Sequence, residues 1–498
     1  MSDDWVVRYD GRQATFSGRD EREISAAIWR PAERRLSLTR EQTGRVPLFY
    51  ARTVSGELVA SPDLGLLLRE RGEEVAPNRE VAAAWLAGAP IGPRETLLAG
   101  VSRVPAGHVL ELAAEGEKLE RWWTPPAPGS IPDGDASRFG EVLEAAVGRA
   151  IEARHSSVFL SGGIDSGTVA AAAGVVAQRA GLPPPLALCV VFPGASEEDV
   201  QRRVAGAARL ELLEGRIEVE GLAERALARA VASLWPTSAA WAPIFDDLAE
   251  AGQARGAQVL LDGQGGDELL DAGYEAGRAL ALRPVALARW LRAERAYTGR
   301  VRRSAKILAL DLLGRTPPRP APAWLAPDLR ESVEARFAVR PCDYAGVRAA
   351  DVLDGTLAAQ REETFDRGRR TGLVQHHPLW DPEVVALLDG LDPSALVSDG
   401  HPKAPGRAYL AQRVPAIPGL WPQPRVANLA AAAISEQLRA RFETQGADLY
   451  TLQAFQILDS SLTDGLPNSD LWRTMSLDAW LKRALGREER GKDDCGDT

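Results

Sequence analysis

Ser161, Gly162, Gly163, Asp165 and Ser166 fall together in the stretch Val158-Phe-Leu-Ser-Gly-Gly-Ile-Asp-Ser166. Glycines let a chain turn tightly enough for several backbone N–H groups to face one anion, and the two hydroxyls add donors. Val158, Phe159 and Leu160 predict a buried parallel strand, and the small apolar run from Thr168 predicts a helix whose positive N-terminal end points at the same place. A strand, a glycine turn and a helix in that order suit a pyrophosphate. The loop is shorter than the G-x-x-x-x-G-K-[ST] phosphate loop and has no lysine. A second stretch, from Val259 to Tyr274, repeats the plan: an apolar run breaks at Gly263 and Gly265 before the acids Asp267 and Glu268. Ligands of doubly wound sheets collect at the carboxyl ends of neighbouring strands, so the two loops are expected to converge on one nucleotide. Asp165 and Asp267 would then share Mg²⁺ beside the phosphates.

The elements needed to hold such loops are legible around them. Phe139 to Glu152 has helical apolar spacing, Pro185 to Phe192 predicts the next parallel strand, and strands alternate with Ala-rich helices between. Residues 1 to about 124 instead carry short β-rich runs at Trp5–Tyr9, Pro47–Ala51, Glu57–Ala60 and His108–Leu112, separated by turn formers. Pro125 to Gly134 has the composition of a linker, which places a domain boundary near residue 130. Beyond about residue 275 the pattern is mostly helical, interrupted by a basic, proline-rich segment from Arg300 to Pro327. The expected fold class is α/β, with a β-rich domain over 1–130 and a doubly wound parallel-sheet domain with a helical C-terminal part over 131–498.

Composition narrows the class. The chain has 498 residues, 45% hydrophobic and 26% charged, as soluble globular proteins do. No run reaches the roughly 18 apolar residues of a membrane span, and Met-Ser-Asp-Asp-Trp lacks the basic start of a signal peptide, so a cytoplasmic protein without a membrane partner is expected. A net charge of −10 argues against non-specific nucleic-acid binding. Cys189, Cys342 and Cys495 show neither metal-ligand spacing nor a disulfide framework, in keeping with a reducing compartment.

The first loop resembles the SGGxDS loop of ATP pyrophosphatases, which split ATP between its α and β phosphates. With the second loop, it resembles the synthetase domain of the asparagine synthetase family. Gly400-His-Pro-Lys-Ala-Pro-Gly-Arg407 follows His377-Pro-Leu-Trp-Asp381 at the spacing that family shows before its K-x-x-x-R lysine. The resemblance implies that Lys403 neutralises charge developing at phosphorus, with Arg407 as a supporting cation. His376 and His377 stand where the family often has RVP. Their i,i+1 spacing argues for structural roles or substrate contacts, not a metal pair. In the first domain, Gly44–Tyr50, Val59–Leu68 and Val101–His108 are similar to stretches of the family's Ntn-type glutaminase domain. Residue 2 is serine where that domain carries its nucleophilic cysteine, so a degenerate glutaminase-like unit is expected and the amine would come from the substrate.

Within the family, Pro322-Ala-Trp-Leu-Ala-Pro327 and Leu471–Leu481 are similar to stretches of lasso peptide cyclases. β-Lactam synthetases, the neighbouring branch, place a tyrosine three residues before the second-loop aspartate, where this chain has Gln264, and a neutral amide takes no proton at pH 7. The resemblance to lasso cyclases implies ATP and Mg²⁺ as cofactors and a precursor core peptide as substrate. A leader peptidase and a leader-peptide-binding protein would be its partners. A β-lactam synthetase or other small-molecule intramolecular amide synthetase, and a non-catalytic binding protein of the same fold, are the alternatives.

Overall fold

The computed structural model describes residues 5–18, 26–72, 76–192, 197–218, 220–271, 276–298, 301–313, 318–339, 343–398, 401–414, 435–440, 452–453, 455–459 and 468–484. Ser2, Gly400, Cys342 and Cys495 lie outside them. The first part of the chain contributes nine short strands: β1 (Val6–Tyr9), β2 (Ala14–Ser17), β3 (Ala27–Arg30), β4 (Arg35–Thr39), β5 (Phe49–Arg52), β6 (Leu58–Ser61), β7 (Val101–Arg103), β8 (His108–Ala113) and β9 (Gly116–Arg121). They form two antiparallel sheets, ordered β2-β1-β6-β5-β7 and β3-β4-β8-β9. Buried Val7, Leu36, Leu38, Leu58, Ala60 and Leu110 fill the space between these sheets. Strands alternating inward and outward residues need such a facing layer.

The second part builds a parallel sheet from β10 (Ser156–Phe159), β11 (Leu186–Val191), β12 (Glu211–Arg216), β13 (Val259–Leu261) and β14 (Val374–His376). Its order is β12-β11-β10-β13-β14. The chain runs outward from β10 through β11 to β12, then returns to the other side of β10 with β13. The winding reverses between β10 and β13, and the crevice at such a switch point is where open α/β sheets bind ligands. The two glycine loops follow these two strands. Helices Phe139–Ile151 and Ile164–Ala180 cover one face, packing Phe139, Leu143 and Val147 against Val158, Val169 and Ala173. The expected β-rich and α/β parts are both observed.

Two expectations need correction. The helix after the first loop begins at Ile164, not Thr168. Asp165 and Ser166 therefore belong to its first turn, where the free N–H groups are. The segment from Arg300 to Pro327 is not a simple break, because Val301–Leu312 is helical and the prolines act only beyond it. Trp324 and Leu325 of the proline stretch, with Leu471, Leu477, Trp480 and Leu481 of helix Asn468–Ala484, join a core that also buries helix Arg79–Ala87. No helix among the described residues is long and apolar enough to cross a membrane.

Candidate active site

The residues after β10 and β13 meet across the switch point. Ser161 Oγ and Ser166 Oγ lie 2.8 Å apart, and the Gly163 N–H donates to Ser161 Oγ at 3.1 Å. This fixes the loop before any ligand enters. Gly163 caps helix Ile164–Ala180 in an extended conformation without a side-chain capping bond, so the helix end keeps donors for an anion. The second loop presses on the first so closely that side chains do not fit. A Cβ on Gly263 would lie 2.6 Å from the Ser166 nitrogen, and one on Gly266 would lie 2.1 Å from Asp165 Cγ. Gly265 between them has φ +95°. Gly162 lies against Glu197, a neighbour that the sequence did not indicate.

Lys403 brings the third element in. It precedes helix Ala404–Arg413 with φ 61° and is only 5% exposed. Its Nζ donates to Asp165 Oδ2 and Asp267 Oδ1, both at 2.6 Å. Burial opposes the lysine charge, but Asp165 and Asp267 outweigh it and raise its pKa. Burial pushes the Asp165 carboxyl up to about 6 against the pull of Lys403, with Asp267 and Glu268 adding to the rise. Asp165 Oδ1 is buried without a partner. A carboxylate oxygen in that state, beside a second carboxylate, fits a divalent cation. Arg407 also faces the cavity, and its Nε donates to the Pro402 carbonyl at 2.8 Å.

These groups line a cavity of about 730 Å³. Its far wall is apolar: Leu188, Val190 and Trp241 join Phe159 and Phe245, whose rings meet edge to face at 5.0 Å. Such a wall suits a planar base, and the polar loops suit a phosphate chain. Gln264, Gln360, Glu363, Thr364 and Arg367 complete the opposite side. The last four come from helix Gly355–Thr371. Sequence reading missed them because no local motif marks them. His376 and His377 part company: His376 Nε2 is buried without a partner, whereas His377 bonds Asp262 and Thr364.

The asparagine synthase model matches residues 138–482, most of the chain and every residue of this cavity. The chain belongs to the asparagine synthase family. A glutamine amidotransferase domain model matches residues 24–123, the part with the two antiparallel sheets. No curated protein matches the chain. As a member of this family it is an ATP-dependent, AMP-forming amide ligase.

Proposed function

We propose that this ligase is a lasso-type peptide cyclase, which activates an Asp or Glu side-chain carboxylate of a core peptide and closes a macrolactam on the peptide's own α-amine. The observation that carries this reading is room for an extended chain. The main cavity shares Ser238, Gln360 and Glu363 with a second cavity of about 310 Å³, lined further by Trp85, Leu97, Trp235 and Arg473. A nucleotide at the loops leaves this continuation for the rest of a peptide. Gln264 in the wall disfavours the β-lactam alternative, since an amide supplies no base.

In the first step the carboxylate attacks the α-phosphorus of ATP, and pyrophosphate leaves into the loop of Ser161, Gly162, Gly163 and Ser166, with Gly263 and Gly265 behind it. Asp165 and Asp267 would hold Mg²⁺, which when bound neutralises phosphate charge. Lys403 supplies fixed positive charge in a water-poor site, and Arg407 supports it. In the second step the amine attacks the acyl-adenylate and AMP leaves. The adenylate is already activated, so holding the amine within reach supplies much of the acceleration. A leader peptidase and a leader-binding protein would deliver the core peptide.

Pyrophosphate exchange with candidate acids separates a small-molecule synthetase from a peptide cyclase. Mass spectrometry of a core peptide incubated with protein, MgATP and leader peptidase is expected to show loss of one water and resistance to carboxypeptidase. Exchange driven by a small amino acid, with no peptide product, overturns the cyclase reading.

A further inference from the structure

Behind the cavity wall lies a chain of three side chains that the steps above do not use. Asp262 accepts from the Gln264 N–H at 3.0 Å, from Gln375 Nε2 at 2.7 Å, and faces His377 Nδ1 at 2.8 Å. On the other side of the ring, His377 Nε2 lies 2.9 Å from Thr364 Oγ1. Thr364 Oγ1 is also 2.8 Å from the Arg361 carbonyl. Asp262 and Thr364 line the cavity, and His377 sits between them at 3% exposure.

Hydrogen placement in this chain has two solutions. Asp262 collects three donors, so it is an ionised acceptor and Nδ1 carries hydrogen in both. With neutral imidazole, Nε2 accepts from the Thr364 hydroxyl. With imidazolium, Nε2–H donates to Thr364 Oγ1, and the hydroxyl hydrogen turns to the Arg361 carbonyl. Both states satisfy every heavy atom where it stands. Burial works against the Asp262 charge, yet the imidazole and the hydrogen-bond donors outweigh it and lower its pKa, which keeps a counter-charge ready. Helix Gly355–Thr371, which presents Thr364 to the ring, also carries the buried charges Arg361, Glu362, Glu363 and Arg367. His376, its chain neighbour, is held down to about 4 by burial and by Arg45, His377 and Arg154, and is therefore neutral near pH 7.

From this geometry we infer that Asp262, His377 and Thr364 form a proton relay that accepts the proton released when the amine attacks the acyl-adenylate. The nitrogen forms its bond to the acyl carbon, the bond to the AMP oxygen breaks, and its electron pair leaves with AMP. The amine proton passes to Thr364 Oγ1 as the Thr364 hydroxyl proton passes to His377 Nε2, leaving imidazolium paired with Asp262. Thr364 meets the substrate, and His377 and Asp262 are positioning residues acting through it. The inference rests on the ligase chemistry of the family and supplies a base that Gln264 does not.

Two measurements test it. In full-length protein labelled at the nitrogens of its five histidines, with His377 assigned from the signals lost in His377→Gln, NMR should show Nδ1 protonated throughout. Thr364→Val should shift the Nε2 signal far more than the Nδ1 signal. An Nδ1 without hydrogen, or equal shifts at the two nitrogens, overturns the relay, whatever the true substrate. The kinetic probe is a synthetic peptide with a free α-amine and one glutamate side chain. Thr364→Val should lower lactam formation by about a hundredfold, the size of a lost general base. Thr364→Ser should restore it. Hydroxamate formation with hydroxylamine as nucleophile should fall at least tenfold less. Equal losses with both nucleophiles also overturn it. If the parent adenylates no peptide, the cyclase reading fails by itself and the NMR comparison still decides the relay.

Discussion

At Lys403 one ammonium is held between two carboxylates, 2.6 Å from each. Lys403→Met should lower AMP release by roughly two to three orders of magnitude, as loss of one preorganised electrostatic group does. Lys403→Arg should rescue poorly, because a planar guanidinium cannot place its charge where a compact ammonium stands. Rates for both within twofold of the parent would remove the catalytic role. The sequence suggested this lysine through the distance of Lys403-x-x-x-Arg407 from His377–Asp381, but not its partners, which lie 238 and 136 residues away. His376 gives a test of stability. Burial holds its folded pKa at about 4, against about 6.5 in an unfolded chain. As pH falls the unfolded chain takes its proton first, so this contribution is intact above about 6.5 and is lost toward 4. In urea unfolding, His376→Gln should lose less stability than the parent over that window, by on the order of 2–3 kcal/mol. Identical slopes would contradict it.

The loops matter at the scale of elements because two backbones meet with no space for a side chain. Gly266→Ala would drive a Cβ to 2.1 Å from Asp165 Cγ. It should destabilise the fold by about 1–3 kcal/mol, as overpacking does, and suppress AMP release by displacing Asp165. Gly206, on helix Glu198–Ala207, has open space around it. Gly206→Ala should stabilise the chain by about 0.5–1 kcal/mol with activity intact. If Gly266→Ala is equally benign in thermal melts and AMP assays, the packing of the loops is not what holds Asp165. Both strand-and-glycine-loop units were readable, since apolar runs that break into glycines are local signals. The start of the first helix was misplaced because Ile164, Asp165 and Ser166 are weak helix formers, which the N-terminal turn accepts. Helix Val301–Leu312 was hidden by the basic residues and prolines around it.

Across the whole molecule, a buried charge cluster ties the β-rich part to the ligase part. Glu362 bonds Arg103 at 3.0 Å and pairs with Arg40 at 3.5 Å, all nearly solvent-free. Glu362→Gln leaves two buried guanidiniums without their counter-charge and should cost about 3–5 kcal/mol, read as a lowered denaturation midpoint. Such long-range pairing carries no signal in a single sequence, and neither does the cavity that runs from the glycine loops to the joint between the two parts. The central claim is that this cavity adenylates a carboxylate and lets an amine of the same peptide close on it. Its most direct measurement is intact mass and nucleotide analysis after incubating full-length protein with MgATP and a leader-free core peptide. One AMP and one pyrophosphate are expected for each peptide that loses one water, without added glutamine or ammonia. Release of ADP, or a product that forms only when glutamine or ammonia is supplied, would contradict it.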